Sequence, residues 1–188
     1  MTLTLRGALT AGLLALALTT LGACASGARS TEMAVAAGAV APVAPGAPGY
    51  HQIVVAGVQG GTVTNPLWES EVSDHDFQVA LENSLRAANY LADDPTTATM
   101  ALTASLVQLK QPLVGLDMSV TSRVRYSAVG KDGKTTFDDT VAATGTGKFG
   151  DAIIGVERLR LANEASIREN IKSFLQRLGD ALAGAKSP

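Results

Sequence analysis

A two-residue alternation that runs through most of residues 116–129 is the feature that most constrains how this chain can fold. Apolar or small side chains fill one set of alternate positions, and polar or charged side chains fill the other. The apolar set is Leu116, Met118, Val120, Val124, Tyr126 and Ala128, and the polar set is Asp117, Ser119, Thr121, Arg123, Arg125 and Ser127. Because successive side chains of a strand point to opposite faces, the pattern predicts an antiparallel strand with one face in a core and the other in water or against a partner.

Three further strands are indicated around this one. The Asp132-Gly133 step favours a tight hairpin, so we expect residues 135–144 to run back as the partner strand. Residues 52–64 form a β-rich run in which Gly60-Gly61 suggests a bulge or bend. Residues 99–109 would suit a helix by composition, but their alternation favours a strand.

Two helices complete the prediction. Ser73 is a predicted N-cap, and the helix that follows is expected to end at Asp94-Pro95. A second helix is predicted over residues 151–182, and at 1.5 Å per residue it would be about 48 Å long. Such a length in a small domain suggests a bend or an overhang near Gly155. The predicted order is β-α-β-β-β-α, an α+β fold with a single antiparallel or mixed four-stranded sheet and both helices on one face.

An apolar N-terminal run ends in Leu21-Gly22-Ala23-Cys24, after a positive start at Arg6. These four residues resemble the lipobox of bacterial lipoproteins. The resemblance implies a signal peptide over residues 1–23 and a mature chain that begins at Cys24 with palmitate-type lipid on its thiol. Cys24 is the only cysteine, so no internal disulfide can form, and acylation would account for it. A retained membrane anchor and plain secretion remain open as alternatives, although the run is short for a spanning helix.

The residue after the cysteine bears on the membrane involved. Ala25 is not the aspartate that retains many Gram-negative lipoproteins in the inner membrane. The resemblance therefore favours the outer membrane, with the domain in the periplasm. In a Gram-positive source the anchor would lie in the cell membrane.

Residues 24–49 are almost wholly Ala, Gly, Val, Ser and Pro after the cysteine, with Pro42, Pro45 and Pro48 evenly spaced. Such a composition buries little apolar surface by itself and predicts a flexible linker. As a coil it would span about 27 Å, and fully extended about 80 Å. A single globular domain is expected over residues 50–188.

The whole pattern is similar in architecture to small outer-membrane lipoproteins that assist lipopolysaccharide insertion and to auxiliary lipoproteins of lipid-trafficking ABC systems. Both types join a lipidated cysteine and a short linker to a similar domain. The resemblance implies a membrane-tethered, non-catalytic interaction or assembly module with an envelope protein as partner, and no binding residue can be carried over from it. Two alternatives stay open: a carrier of lipid or another apolar ligand in a cavity between sheet and helices, and an enzyme of unrecognised type.

Motifs that suggest chemistry have simpler interpretations in this chain. Residues 145–150 match G-x-G-x-x-G, but no strand follows the C-terminal helix, so a turn is expected rather than a dinucleotide site. His51 and His75 lack the spacing of metal ligands. Asp138 and Asp139 are consecutive in a strand and so would face opposite ways. We expect no cofactor, no metal site and no catalysis.

Contacts with partners are the remaining possibility. A net charge of −2 gives no basic face for nucleic acid. Leu67 and Trp68 lie in a proline-containing loop and could anchor a protein interface, or Trp68 could cap the core. Arg123 and Arg125, on the polar side of the alternating strand, could contact an acidic partner or a lipid headgroup, or the face could simply be solvated.

Overall fold

The computed structural model describes residues 26–61 and 71–184. Within them, the elements are α1 (Ser30–Met33), β1 (Ile53–Gln59), α2 (Asp74–Ala87), β2 (Met100–Lys110), β3 (Met118–Gly130), β4 (Thr135–Gly147) and α3 (Gly155–Gly184). The strands form one open sheet in the order β1-β2-β3-β4, with β1 parallel to β2 and the other neighbours antiparallel. The predicted α+β class is confirmed, with a mixed sheet and with α1 as an additional short helix.

The alternation of β3 places the core on one face of the sheet. Val124 and Tyr126 are fully buried, whereas Arg123 and Arg125 on the opposite face are exposed. The ring of Tyr126 stacks on Phe174 of α3 with 4.0 Å between centroids. Both α2 and α3 pack on this face and share its hydrophobic core. The opposite face of the sheet is covered by none of the described elements.

One predicted core position is wrong. Leu116 continues the apolar alternation in the sequence, but it lies before β3 begins and is 72% exposed. The loop turns away from the sheet there, so the two-residue period no longer decides which way a side chain points.

The first long helix begins as predicted and ends earlier. Ser73 is the N-cap, and its Oγ accepts a hydrogen bond from Asp76 N at 3.0 Å. The helix ends at Ala87, because Asn89 adopts a left-handed conformation with φ of 60°. The next residues then pair with β1 through a bridge between Leu91 and Ile53 instead of continuing the helix to residue 94.

The C-terminal helix α3 is one continuous element that begins at Gly155 rather than at residue 151, so it does not show the suggested bend or overhang. Its 30 residues make a helix of about 45 Å. Strands β3 and β4 have 13 residues each, or about 43 Å, and the helix lies along their whole length. The domain is long enough to support the helix, and neither half protrudes.

Two glycines of the G-x-G-x-x-G stretch allow this close packing. A Cβ on Gly145 would lie 2.2 Å from Ser166 N, and one on Gly147 would lie 2.2 Å from Arg158 O. Both glycines lie at the end of β4, facing the backbone of α3. The motif therefore serves strand–helix packing, whereas the sequence predicted only a turn there.

The segment over residues 26–49 packs on the domain, so the prediction of a free linker is wrong for these residues. Met33 is fully buried, and Ala28 and Val35 are 2% and 5% exposed. Val35 N donates to Ser84 Oγ at 2.9 Å, and α1 lies against both α2 and α3. Composition measures what a segment can bury by itself, and here the two long helices supply the missing apolar surface.

Some expectations fall outside the described residues. The signal peptide, Cys24, Leu67 and Trp68 are among them. Within 26–61 and 71–184, none of the helices combines the length and apolar character needed to cross a membrane.

Candidate functional site

Exposed apolar side chains gather at one end of the sheet, where the β2–β3 loop (111–117) lies beside the β4–α3 loop (148–154). Of the seven large apolar side chains that are exposed in the described part of the chain, six belong to these two loops. We call these six the apolar tip: Leu113, Val114, Leu116, Phe149, Ile153 and Ile154. A concentration of this kind on a soluble surface marks a contact with a protein or a membrane.

Polar contacts hold the apolar tip in place from beneath. Arg158 Nη1 donates to the carbonyl oxygens of Ala152 and Ile153, each at 2.8 Å. The same guanidinium lies over the Phe149 ring, 5.2 Å from its centroid. Phe149 N donates to Asp117 Oδ1 at 2.9 Å, which ties the two loops together. These contacts hold the backbone of the β4–α3 loop, which carries Phe149 and Ile153.

A cleft opens between the β2–β3 loop and the first turns of α3. Its volume is about 630 Å³, and Gln111 contributes a polar wall by donating to Asn163 Oδ1 at 3.0 Å. The lining residues are Leu109, Gln111, Pro112, Leu113, Met118, Gly155, Val156 and Leu159. The cleft is open to solvent and continuous with the apolar tip through Leu113.

A buried ion-pair cluster ties the start of the described chain to α3. Arg160 Nη1 contacts Glu164 Oε1 at 2.5 Å, with only 6% and 3% of the two side chains exposed. Glu164 Oε1 also accepts from Arg29 N at 3.0 Å and from Arg29 Nε at 3.3 Å. Arg160 further pairs with Glu157, and this hydrogen bond raises the pKa of Arg160 and lowers the pKa of the Glu157 carboxyl. The cluster fixes where the N-terminal segment meets the helix.

The open face of the sheet carries Arg123 and Arg125 side by side on β3, as predicted. Arg125 forms a bidentate pair with Asp138 of β4, at 2.9 Å for Nε–Oδ1 and 2.7 Å for Nη2–Oδ2. This hydrogen-bonded pairing lowers the pKa of the Asp138 carboxyl. Arg123 makes no hydrogen bond or ion pair within the described residues and is the freer cation of the two. Leu67 and Trp68 lie outside the described residues.

A second polar network lies inside the core and holds β3 to α3. Ser166 Oγ donates to Ser122 Oγ at 2.8 Å, and Tyr126 Oη donates to Asn170 Oδ1 at 3.0 Å. All four side chains are fully buried, and burial raises the pKa of Tyr126 well above its ordinary value. The hydrogen bonds satisfy groups that would be costly to bury unpaired, so the network has a structural role.

The other polar residues considered from the sequence are separated from one another. His51 Nδ1 lies 2.8 Å from Asp93 Oδ2 at the surface. Asp138 pairs on the open face, whereas Asp139 reaches Arg177 of α3 at 2.6 Å on the helix side, so the two carboxylates point apart as the alternation predicted. Within the described ranges, no three His, Cys, Asp or Glu side chains come close enough to hold a metal ion.

Sequence reasoning missed the apolar tip, although a signal was present. Leu113-Val114 follows Pro112, and Ile153-Ile154 precedes the start of α3, so each apolar pair lies in a loop. Apolar pairs outside regular elements cannot be assigned to a core by periodicity. Their convergence at one end depends on the hairpin register and on the packing of α3, which the sequence alone does not show.

Comparison with known proteins shows the fold but not a family. A candidate lipoprotein of Caulobacter crescentus is similar in structure, with a TM-score of 0.53 and 14% identity over 74% of this chain and 96% of that one. A hypothetical protein of Chlamydia trachomatis gives 0.52 and 11%, covering 70% and 97%. A Xanthomonas campestris protein of the DUF330 family gives 0.51 and 8%, covering 79% and 95%. No family model matches this chain. No curated protein is significantly similar to it in sequence.

Proposed function

We propose that this chain is a lipid-anchored lipoprotein of the bacterial envelope whose domain acts as a non-catalytic interaction or assembly module. The observation that carries the proposal is the sequence Leu21-Gly22-Ala23-Cys24, which places the only cysteine of the chain at the end of an apolar leader. The fold gives support at a coarser level, since a candidate bacterial lipoprotein shares it.

The surface of the domain supports binding rather than turnover. Its two distinctive exposed features are the apolar tip and the open sheet face with Arg123. The buried serines of the core lie out of reach of a substrate, since Ser122 and Ser166 are fully covered. We propose an envelope protein as the partner and the outer membrane as the location, with the domain in the periplasm.

Replacement of Cys24 tests the anchor. In a bacterium that processes lipoproteins, we expect the wild-type chain in the membrane fraction and released only by detergent. The Cys24→Ser form should lose this detergent-dependent release, because the hydroxyl cannot take the lipid. Ala25→Ser is the matched control and should fractionate like wild type. Mature Cys24→Ser chain that still needs detergent for release would contradict the proposal.

Crosslinking in intact cells tests the partner. A photoreactive residue in place of Arg123 should give a discrete adduct with an envelope protein, whereas one in place of Glu82, on the exposed side of α2, should give none. An absence of adducts from the open face would count against this face as the contact.

A second candidate function is a carrier of lipid or another apolar ligand, favoured by the cleft of about 630 Å³. The hypothesis from the sequence was a cavity between the sheet and the helices. In the described residues, that interface is filled by side chains such as Tyr126 and Phe174. The cleft at the end of the sheet is a space with an apolar wall that remains open to such a ligand. Native mass spectrometry of the purified chain should then show bound lipid, and removal of the cleft wall by Leu159→Asp should abolish it.

A further inference from the structure

The start of the described chain lies toward the same end of the molecule as the apolar tip. Helix α3 begins at the tip with Gly155 and runs away from it. The N-terminal segment runs along α3 in the same direction, since Arg29 bonds to Glu164 and Gly49 lies against Leu182. Arg29 therefore lies nearer to the tip end of α3 than Gly49 does.

The distances bring Cys24 within reach of that end. Cys24 is five residues before Arg29, so it lies no more than about 17 Å away along the chain. Glu164 is nine residues after Gly155, or about 14 Å along the helix axis. Because residues 26–49 pack on the domain, they add no slack to this tether. A lipid on Cys24 would hold the bilayer within reach of the apolar tip.

The chemistry of the tip suits the boundary between headgroups and acyl chains. Leu113 is 99% exposed, Ile153 is 88% exposed and Val114 is 85% exposed. Lys110 and Lys148 are exposed at the margins of the same two loops, and the exposed carboxylates of Asp117 and Asp151 in these loops accept hydrogen bonds from Phe149 N and Lys148 N. Apolar side chains flanked by lysines are typical of surfaces that lie in a membrane interface, because the long lysine side chains keep their charge at the headgroups.

We propose that the apolar tip inserts into the same phospholipid bilayer that holds the lipid of Cys24. This inference rests on the proposed lipid anchor. The tip adds a second, non-covalent attachment, and together the two fix the orientation of the domain. The end of the sheet with the β2–β3 loop would then contact the membrane. The open face that bears Arg123 would be roughly perpendicular to the membrane and accessible to neighbouring membrane proteins.

A bilayer fits the tip better than a protein partner does. The tip consists of two loops that project beside the cleft, and the backbone of the β4–α3 loop is held by Arg158 and Asp117. It lies at the end that the tether brings to the lipid, so the bilayer is the first apolar phase it meets. A partner that covers it would have to compete with the surrounding lipid.

Fluorescent labelling tests the orientation. Leu113→Cys and Ile153→Cys are made separately in the full chain, purified from bacterial membranes in lipidated form and labelled with a polarity-sensitive thiol dye. Thr135→Cys, exposed at the opposite end of the sheet, is the matched control. Each protein is reconstituted in vesicles of phosphatidylethanolamine and phosphatidylglycerol, with and without a quencher on the acyl chains.

We expect a blue-shifted emission and at least twofold quenching by the acyl-chain quencher at both tip positions, with neither effect at Thr135→Cys. Tip probes that report water, like the control, on protein that floats with the vesicles would overturn the insertion. The same probes are also measured in native bacterial membranes. A blue shift that appears only there, with no quenching in the lipid vesicles, would also overturn the insertion and would favour a protein partner.

The parent chain separates this inference from the proposed function. With its only cysteine acylated, the parent should take no dye and should float with the vesicles. If the parent is labelled at Cys24, the lipid anchor itself is wrong, whatever the tip probes report.

Discussion

At the scale of single residues, the close approach of β4 to α3 depends on glycine, which has no side chain, at the points of contact. Gly145 leaves room for the backbone of α3, and a Cβ at this position would lie 2.2 Å from Ser166 N. A backbone atom cannot move aside as a flexible side chain can. The packing of the longest helix on the edge strand therefore requires glycine at this point.

We predict that Gly145→Ala lowers the free energy of unfolding by about 1–3 kcal/mol, the usual range for overpacking a tight contact. Gly150→Ala is the control, because a Cβ there would meet nothing within 4 Å. Urea unfolding followed by circular dichroism measures both. Equal stability of the Gly145→Ala and Gly150→Ala forms would contradict the packing that the structure shows.

The pairing of Glu157 with the buried Arg160 makes the stability of the domain sensitive to acid. The hydrogen bond from Arg160 lowers the pKa of the Glu157 carboxyl below its ordinary value of 4.5. The folded state thus binds fewer protons than the unfolded state as the pH falls below that value. The stabilisation is present at neutral pH and is lost as the pH falls through the folded-state pKa.

Glu157→Gln should therefore make the free energy of unfolding less dependent on pH below about pH 4.5, because glutamine does not titrate. Urea unfolding at a series of pH values between neutral and strongly acidic measures the slope. A slope as steep as that of the wild type would show that this carboxylate does not contribute.

At the scale of elements, the N-terminal segment is part of the domain. Met33 of α1 is fully buried with the core that α2 and α3 share. The backbone of the segment is also bonded to the domain, as in Val43 N to Ala88 O at 3.0 Å. Segment and helices therefore form one cooperative unit.

Met33→Ala should lower the free energy of unfolding by about 2–5 kcal/mol, the range for large-to-small changes in a core. Pro42→Ala, at an exposed position in the same segment, is the matched control and should change it little. Thermal or urea unfolding distinguishes them. A Met33→Ala form as stable as Pro42→Ala would mean that the segment is detached in solution.

The elements that could be predicted are those whose own residues decide the outcome. The alternation through Val124 and Tyr126 specified β3, and Ser73 specified the start of α2. The packed segment around Met33 could not be predicted, because its order depends on a groove supplied by distant parts of the chain. The end of α2 was missed for a related reason, since Asn89 leaves the helix in order to pair the chain with β1.

Less of the candidate site than of the fold could be predicted. The two-residue alternation of β3 was sufficient to predict that Arg123 and Arg125 lie on the open face. The convergence of Leu113 with Ile153 at the tip required the pairing of β3 with β4, because only the register brings the two loops to one end. The residues of the apolar tip are far apart in sequence, so the tip could not be recognised before the fold was known.

At the scale of the whole molecule, the proposed attachment combines a lipid, a short tether and the apolar tip at one end. The sheet and α3 are each more than about 40 Å long, so such an attachment holds the far end of the domain well away from the bilayer. The open face with Arg123 lies between these two ends, where an envelope partner could reach it.

The most direct test of this account is the intact mass of the chain isolated from the membranes of a bacterium that processes lipoproteins. We predict a chain that begins at Cys24 and is heavier than its residues by a diacylglyceryl group, with or without a further amide-linked acyl chain. A chain that carries an unmodified Cys24 thiol, or that retains residues 1–23, would contradict the proposed lipid anchor.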